Sequence, residues 1–355
     1  GIPPDHVLIS STHTHTGPAA VGALGTPDEP EYAQSLVPRI ADAMAMAVDA
    51  MVPAEAAHAS GDCAGEVHNR RWHMKDGSVK MNPGYQNPDA IEPAGPTDPQ
   101  LGLLVIREIQ TRKPIAVYAN LALHYVGNSE GNWISADYFG CFGEALQCMA
   151  GTEFVAIMAN GCQGNINNHD FSEAARRAVG AYSETSRVAN VVAAEAWKQW
   201  NMLREDDFTS EVALGAELRG LPFEARTPTS EELAAAKTLY ESGEDWTNSE
   251  WVYARELVLV DEDPSEWEIP VHALWIGDLG IVGLHGEVFV EIGLEIKERS
   301  PFGQTMVVGL ANGSVGYIAT DQALDEGSYE TRLCRHVRAP KGTARLWTDT
   351  GVDML

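Results

Sequence analysis

Helix and strand signals alternate along this sequence, and that alternation is the feature that most constrains its fold. Glu31 to Met51 has the spacing of an amphipathic helix that Pro38 interrupts early, and Ser172 to Trp200 is a second long helical stretch. Short apolar runs predict strands at Leu101 to Ile106, Ile115 to Leu123 and Phe154 to Met158. The 355 residues, 44% of them hydrophobic, can form a sizeable core. We therefore expect an α/β fold, a layered mixed sheet with flanking helices.

Residues 206–267 are acidic, and we expect them to form a small inserted helical lobe at the edge of a single domain that spans 1–355. Thr229 to Val258 is typical of a helical hairpin that turns at Gly243, and Thr229 and Glu232 have the spacing of a capping box. Val271 to Leu284 then alternates like a β-hairpin. The sheet is therefore expected to continue after the lobe.

Charge and composition exclude several classes of function. The formal net charge of −27 argues against nucleic acid or anionic lipid as the main partner, because such partners require clustered Lys and Arg. The sequence lacks an apolar stretch near the roughly 20 residues that span a bilayer, so we expect no transmembrane segment. The five cysteines have no C-x-x-C spacing, which argues against a disulfide framework and a thiolate zinc site.

Two histidines alternate with threonines in the run Ser-Ser-Thr-His-Thr-His-Thr-Gly-Pro at 10–18. Asp5 to Ser10 reads as a short core strand, so we expect upstream sequence to be missing from this chain. In an extended segment His13 and His15 point the same way. Two imidazole nitrogens on one face could form half of a metal site. The alternative is that threonine and histidine merely alternate on an exposed edge strand.

Other candidate ligands stand at the ends of apolar runs. His124 directly follows the strand that begins at Ile115, and Glu287 stands between Leu284-His285-Gly286 and a predicted helix over Val288 to Arg299. Each has an ordinary structural alternative, a satisfied core histidine or a carboxylate that complements a helix dipole. Three further candidates would by themselves be ordinary packed or surface side chains: Arg70, Tyr317 and Tyr329.

Four separated segments together resemble the neutral or alkaline non-lysosomal ceramidases and their bacterial homologues. They are the run from Thr12 to Pro18, Val67-His68-Asn69-Arg70, Gly286-Glu287 with Val288-Phe289-Val290-Glu291, and Gly309 to Tyr317 with Tyr329-Glu330-Thr331. The resemblance covers most of the chain except the acidic lobe. It implies the catalytic domain of a zinc-dependent amidohydrolase of sphingolipid metabolism, in a secreted or periplasmic protein.

The resemblance also implies roles for single residues. The implied zinc ligands are His13, His124, Glu287 and Tyr329. His15 would stand beside the metal as an acid/base or substrate-orienting group, Arg70 would reach the substrate, and Tyr317 would help to stabilise the oxyanion. Which of His13 and His15 binds zinc directly stays open. Bacterial relatives sometimes carry an additional structural magnesium or calcium ion.

The chemistry of these residue types agrees with that assignment. Zinc accepts imidazole nitrogen and carboxylate oxygen in a tetrahedral shell, and a catalytic site leaves one position open for water. Water bound there loses a proton near neutral pH and attacks an acyl carbon. A nearby imidazole such as His15 then protonates the departing amine.

The turn from Asn160 to Asn167 departs from the family, where Gly-Asp is followed closely by a serine that is sometimes proposed as a nucleophile. This turn has no serine, and Asn165 replaces the usual aspartate, which favours attack by metal-bound water. Cys162 as a replacement nucleophile has no identifiable base beside it. His285 stands where relatives have proline, and the family's immunoglobulin-like C-terminal domain is expected to be absent.

The substrate is less constrained than the mechanism. The leading hypothesis is a linear N-acyl amide, with ceramide or a related N-acyl lipid as the nearest named substrate. The alternatives are a zinc esterase or deacylase for a smaller polar acyl substrate, and a non-catalytic binding homologue. Five residues either line an apolar groove or pack as core: Trp72, Met74, Met81, Tyr85 and Trp133.

Overall fold

The fold is mixed α/β, as the sequence predicts, and contains two four-stranded sheets. A computed structural model describes residues 1–127 and 133–355. Its strands are β1 (Ala54–Asp62), β2 (His68–Asn69), β3 (Arg71–Met74), β4 (Val79–Met81), β5 (Ala90–Pro93), β6 (Gln100–Glu108), β7 (Pro114–Leu121), β8 (Val155–Asn160), β9 (Ile166–Asn167), β10 (Leu214–Glu224), β11 (Glu266–Ile276), β12 (Leu279–Gly283), β13 (Glu287–Val288), β14 (Gln304–Val308) and β15 (Tyr317–Ile318).

Helices flank both sheets. They are α1 (Pro30–Asp49), α2 (Asp137–Ala150), α3 (Ser183–Met202), α4 (Ser230–Tyr240), α5 (Ser249–Glu262), α6 (Val290–Arg299), α7 (Asp321–Glu326) and α8 (Thr343–Asp353), with 3-10 turns at Pro4–His6, Glu205–Asp207 and Tyr329–Thr331. None of the helices described is both long and apolar enough to cross a membrane.

The first sheet has the strand order β1-β6-β7-β8, antiparallel except for the parallel pair β7 and β8. Helices α2 and α3 pack together against its buried face and share one apolar core with it. The predicted strands over Leu101–Ile106, Ile115–Leu123 and Phe154–Met158 are confirmed as β6, β7 and β8. Because β7 and β8 are parallel, the chain leaves both at the same edge, and after β7 ends at Leu121 it reaches His124 through Ala122 and Leu123.

The second sheet has the order β10-β11-β12-β14, and the predicted hairpin over Val271 to Leu284 is confirmed as β11 and β12. Strand β12 pairs in parallel with β14, and α6 and α8 pack together with this sheet around a second core. The short strands β13 and β15 pair in parallel, with Glu287 opposite Tyr317. Two candidate site residues are therefore held in register by backbone pairing.

Three predicted elements differ from the structure. Asp5 to Ser10 is a 3-10 turn followed by a loop, and Ser10 forms an isolated bridge with Ala311. The helix predicted from Ser172 begins only at Ser183, because Tyr182 before it has a left-handed φ of 57°. Helix α1 continues through Pro38, and none of its own residues is buried in the part of the chain that the structure describes.

Part of the expected helical lobe at 206–267 is a sheet strand. Strand β10 pairs with β11 along its full length of 11 residues, a pattern that its Gly, Glu and Pro residues conceal in the sequence. The helices of this segment are α4 and α5, and the capping box of Thr229 and Glu232 is confirmed. Two ion pairs link α5 to the loop after Tyr329: Arg332 with Glu250, and Arg335 with the buried Glu256.

Candidate metal centre

Three imidazole rings converge at one point, although two of them are more than a hundred residues from the third in the chain. The Nε2 atom of His124 lies 3.2 Å from Nε2 of His13 and 2.9 Å from Nε2 of His15. The rings meet edge to face with centroids 4.6–4.9 Å apart. His124 is buried, His13 is half-buried and His15 is exposed, so the cluster opens to solvent on the His15 side. Such a cluster of nitrogen ligands can hold a metal ion.

The loop that carries His13 and His15 is not extended, so this part of the sequence prediction is wrong. His13 has a left-handed φ of 61°. The Asp137 carboxylate accepts hydrogen bonds from the hydroxyl groups of Thr14 and Thr16, at 2.7 and 3.1 Å, and from the backbone N–H of His15 at 3.0 Å. Asp137 thus holds Thr14 and Thr16 on one side of the loop, and the rings of His13 and His15 face His124 on the other side.

Glu287 places a carboxylate oxygen against this cluster. Its Oε2 lies 3.3 Å from Nε2 of His13 and 3.7 Å from Nδ1 of His124. The atom is buried and has no hydrogen-bond partner among the described residues. A buried carboxylate oxygen without a donor is costly unless a cation or a proton compensates it. A positive charge beside Glu287 would therefore be stabilising, because it would compensate this buried oxygen.

Two of these distances are close to the edges of a tetrahedral metal shell. In a tetrahedral shell with Zn–N and Zn–O distances of about 2.1 Å, two ligand atoms lie about 3.4 Å apart. The contacts of His13 with His124 and Glu287 measure 3.2 and 3.3 Å, close to such edges. The separation of His15 from His124, 2.9 Å, is an ordinary hydrogen-bond length. The donor set of nitrogen and oxygen is also one that zinc prefers.

Arg70 contacts the histidine cluster through the Nδ1 atom of His124. Its Nη1 lies 2.9 Å from Nδ1 of His124, its Nη2 donates to Tyr317 Oη at 3.0 Å, and its Nε donates to Glu330 at 2.9 Å. Because a guanidinium can only donate, Nδ1 of His124 is the acceptor and the neutral ring carries its proton on Nε2. A metal ion held by Nε2 would take the place of that proton, so metal binding would be coupled to its release.

Two tyrosines border the centre beside Arg70. The rings of Tyr317 and Tyr329 lie 5.8 Å apart in an edge-to-face arrangement. Burial, and then the Glu287 carboxylate, raise the pKa of Tyr329. Burial raises the pKa of Tyr317 well above its ordinary value, although Arg70 opposes the shift. Both phenols are therefore protonated at neutral pH, and Tyr317, which accepts from Arg70, keeps its own proton available to donate.

His15 and His124 are neutral at physiological pH. Burial, then Arg70 and the other two rings, hold the pKa of His124 well below its ordinary value. Burial of its ring nitrogen, and then His13, lower the pKa of His15 to about 4, although much of the side chain is exposed. Both rings are thus available as ligands or proton acceptors.

We expect the metal-free protein to show this shift directly. In a nitrogen-15 NMR titration, His15 should stay neutral as the pH falls to 5.5 and should protonate near pH 4. In urea-unfolded protein the same ring should have a pKa of about 6.5. Because the folded pKa is the lower one, the unfolded state binds the proton first, so stability should fall as the pH drops from about 6.5 towards 4. Titration of folded His15 near 6.5 would contradict this geometry.

The structure brings together all seven candidate residues of the sequence prediction: His13, His15, Arg70, His124, Glu287, Tyr317 and Tyr329. Sequence reasoning missed Asp137 and Glu330, because each holds its partner through the fold and has no motif of its own. Cys162 is buried and burial raises the pKa of its thiol, so it is not a thiolate at neutral pH.

The five candidate groove residues differ in burial. Trp72 and Met74 pack with Phe171 in a small buried cluster and are therefore core. Trp133 is exposed at 68% and Ile134 at 77%, and both precede Ser135, whose carbonyl oxygen accepts hydrogen bonds from the histidine loop. Met81 is half-buried and Tyr85 exposed.

The fold and the site define a mixed α/β protein with a histidine-rich candidate metal centre. No protein-family model matches the sequence, and no curated protein matches it either. The structure is similar to that of neutral ceramidase from Pseudomonas aeruginosa, with a TM-score of 0.71 and 19% identity over 98% of this chain and 60% of that one. A second structure, a ceramidase complexed with C2, gives a TM-score of 0.72 and 16% identity over 98% of this chain and 61% of that one.

These similarities confirm the expected fold, which is ceramidase-like. At 16–19% identity they extend to the fold alone. The chain spans about three fifths of the length of these structures, 60% and 61%.

Proposed function

We propose that this chain is a zinc-dependent hydrolase that cleaves a linear N-acyl amide, such as ceramide or a related N-acyl lipid. The observation that carries the proposal is the buried Glu287 oxygen without a donor, set against converging imidazole nitrogens and beside the Arg70–Tyr317 pair. The ceramidase-like fold supports the substrate class. A bound zinc ion would supply Lewis acidity and make water nucleophilic near neutral pH.

In this proposal zinc is held by His13, His124, Glu287 and, as a weak fourth ligand, Tyr329. The 3.3 Å contact of His13 with the Glu287 carboxylate favours His13 over His15 as the direct ligand. His15, the exposed member of the cluster, then stands at the open side where a substrate arrives. Its neutral ring accepts a proton from the attacking water and returns it to the departing amine.

Tyr317 and Arg70 stabilise the charge that develops on the acyl oxygen. Arg70 donates to Tyr317 Oη, which leaves the phenolic proton free to point into the site. The two guanidinium contacts with His124 and Glu330 fix the direction of this donation before substrate binds. Donors fixed in advance stabilise an oxyanion more than mobile donors in water.

Trp133 and Ile134 would contact the acyl chain of such a substrate. Both are large, apolar and exposed, and Ser135 ties them to the loop that carries His15. We expect Trp133→Ala to raise KM for a long-chain N-acyl substrate by about 10-fold, since the loss of roughly 55 Å² of apolar contact costs about 1.4 kcal/mol. The same variant should leave the KM of an acetyl analogue unchanged. An equal effect on both chain lengths would contradict this contact.

The proposal is tested by elemental analysis of the purified protein together with hydrolysis of a fluorogenic N-acyl substrate before and after chelation. About one zinc per chain and chelator-sensitive turnover would support it. No bound zinc, or turnover that is indifferent to chelation, would overturn it. Preference for short esters over long-chain amides would overturn the lipid substrate and favour the esterase alternative, whereas zinc binding without any turnover would favour a binding homologue.

A further inference from the structure

We propose that Asp137 is a positioning residue of the candidate metal centre, which sets where His13 and His15 stand by holding the threonines between and after them. This inference rests on the proposed function for its zinc readout. It explains why threonine and histidine alternate in this run although the segment is not a strand. The histidines face the candidate metal centre, and the threonines face Asp137.

The anchor uses both carboxylate oxygens of Asp137. Oδ2 accepts from Thr14 Oγ1 at 2.7 Å and from the backbone N–H of His15 at 3.0 Å, and Oδ1 accepts from Thr16 Oγ1 at 3.1 Å. Both hydroxyl groups also lie within reach of the Ser135 carbonyl oxygen, at 2.9 and 3.1 Å. Hydrogen bonds to an ionised carboxylate are the stronger members of this set.

The Asp137 side chain does not cap its own helix. An acidic residue at the first position of a helix commonly satisfies the free N–H groups there. Among the described residues, however, the start of α2 has no side-chain cap, and the Asp137 carboxylate faces the histidine loop. Asp137 also has a left-handed φ of 52°, and its N–H donates to Ser135 Oγ. Unfavourable backbone geometry of this kind is often retained at functional sites.

The anchor is connected to the rigid part of the molecule. Asp137 is buried, and the next residues of α2, Tyr138, Phe142 and Leu146, are fully buried in the first core. Strand β7, which leads to His124, borders the same core. Through α2, Asp137 therefore ties the loop to the same core that borders the strand leading to His124.

The test compares isosteric and hydroxyl-retaining variants of the loop. Thr14→Val with Thr16→Val removes both donors and keeps the shape, whereas Thr14→Ser with Thr16→Ser keeps the donors and is the matched control. Asp137→Ala removes the acceptors directly. Each variant is examined for zinc affinity by chelator competition, for the visible spectrum of its cobalt(II) form, and for amide exchange at His15.

We expect the valine pair and Asp137→Ala to bind zinc at least about 10-fold more weakly, as is usual when an outer-shell partner is lost. Their cobalt spectra should change, and amide exchange at His15 should accelerate, while the serine pair resembles wild type in all three readouts. Because Asp137 is buried, the threonine variants keep the test independent of its effect on folding.

Wild-type zinc affinity and an unchanged cobalt spectrum in the valine pair would overturn the inference. So would slow, wild-type exchange at His15 in Asp137→Ala. If the wild-type protein binds no zinc, the proposed function fails, and the exchange of the His15 amide in the metal-free variants still decides whether Asp137 holds the loop.

Discussion

Glu287→Gln should release zinc and abolish turnover while leaving the fold intact. The substitution keeps the shape of the side chain but replaces the charge of an oxygen that lies 3.3 Å from His13 and has no donor among the described residues. A zinc ligand should matter more than an outer-shell residue, whose loss typically weakens binding by about 10–100-fold. We therefore expect more than about 100-fold weaker zinc binding, measured by competition with a chromogenic chelator.

The matched control is Glu298→Gln, which makes the same chemical change at an exposed position of α6. Its zinc content and turnover should equal those of wild type, and both variants should unfold at similar denaturant concentrations. If Glu287→Gln retained one zinc per chain and normal turnover, Glu287 would not be a ligand.

Glu330→Gln should destabilise the protein by about 3–5 kcal/mol, because it leaves two buried guanidinium groups without their shared carboxylate. Glu330 is 0% exposed and accepts from Arg70 at 2.9 Å and from Arg71 at 3.0 Å. Urea unfolding monitored by tryptophan fluorescence measures the effect. Turnover should also fall, because Arg70 loses the contact that aims it at His124 and Tyr317.

Glu326→Gln is the comparison for this experiment. Glu326 is partly exposed and meets Arg71 at 3.4 Å, so its loss should cost only about 0–1 kcal/mol. Equal destabilisation by the two substitutions would mean that burial of the charge does not govern the strength of this network.

Elements with a strong local pattern were predictable from the sequence. Strands β6, β7 and β8 are apolar runs between turns, and α4 carries its own capping box. Strand β10 was not, because its Gly, Glu and Pro residues are atypical of strands and its place depends on pairing with β11. The start of α3 and the loop at His13 depend on left-handed residues that have no sequence signature here.

Some residues of the candidate site were predictable from the sequence, and others were not. His124 and Glu287 stand at the ends of elements, and such positions are recognisable in a sequence. Glu330 and Asp137 are different, because each acts on a partner that is more than a hundred residues away. A buried carboxylate shared by two arginines cannot be told from a surface acid before the chain is folded. These supporting residues are therefore visible only in three dimensions.

The distribution of the metal-facing residues along the chain also sets when a metal ion can be acquired. A nascent chain that has been synthesised as far as β12 already contains His13, His15 and His124, but the carboxylate of Glu287 and the strand that pairs with it come later. Tyr317 and Glu330, which position Arg70, are made later still. If the chain binds zinc as proposed, an ion that arrived during translation would meet an incomplete shell, so metal would be acquired only after Glu330 has left the ribosome.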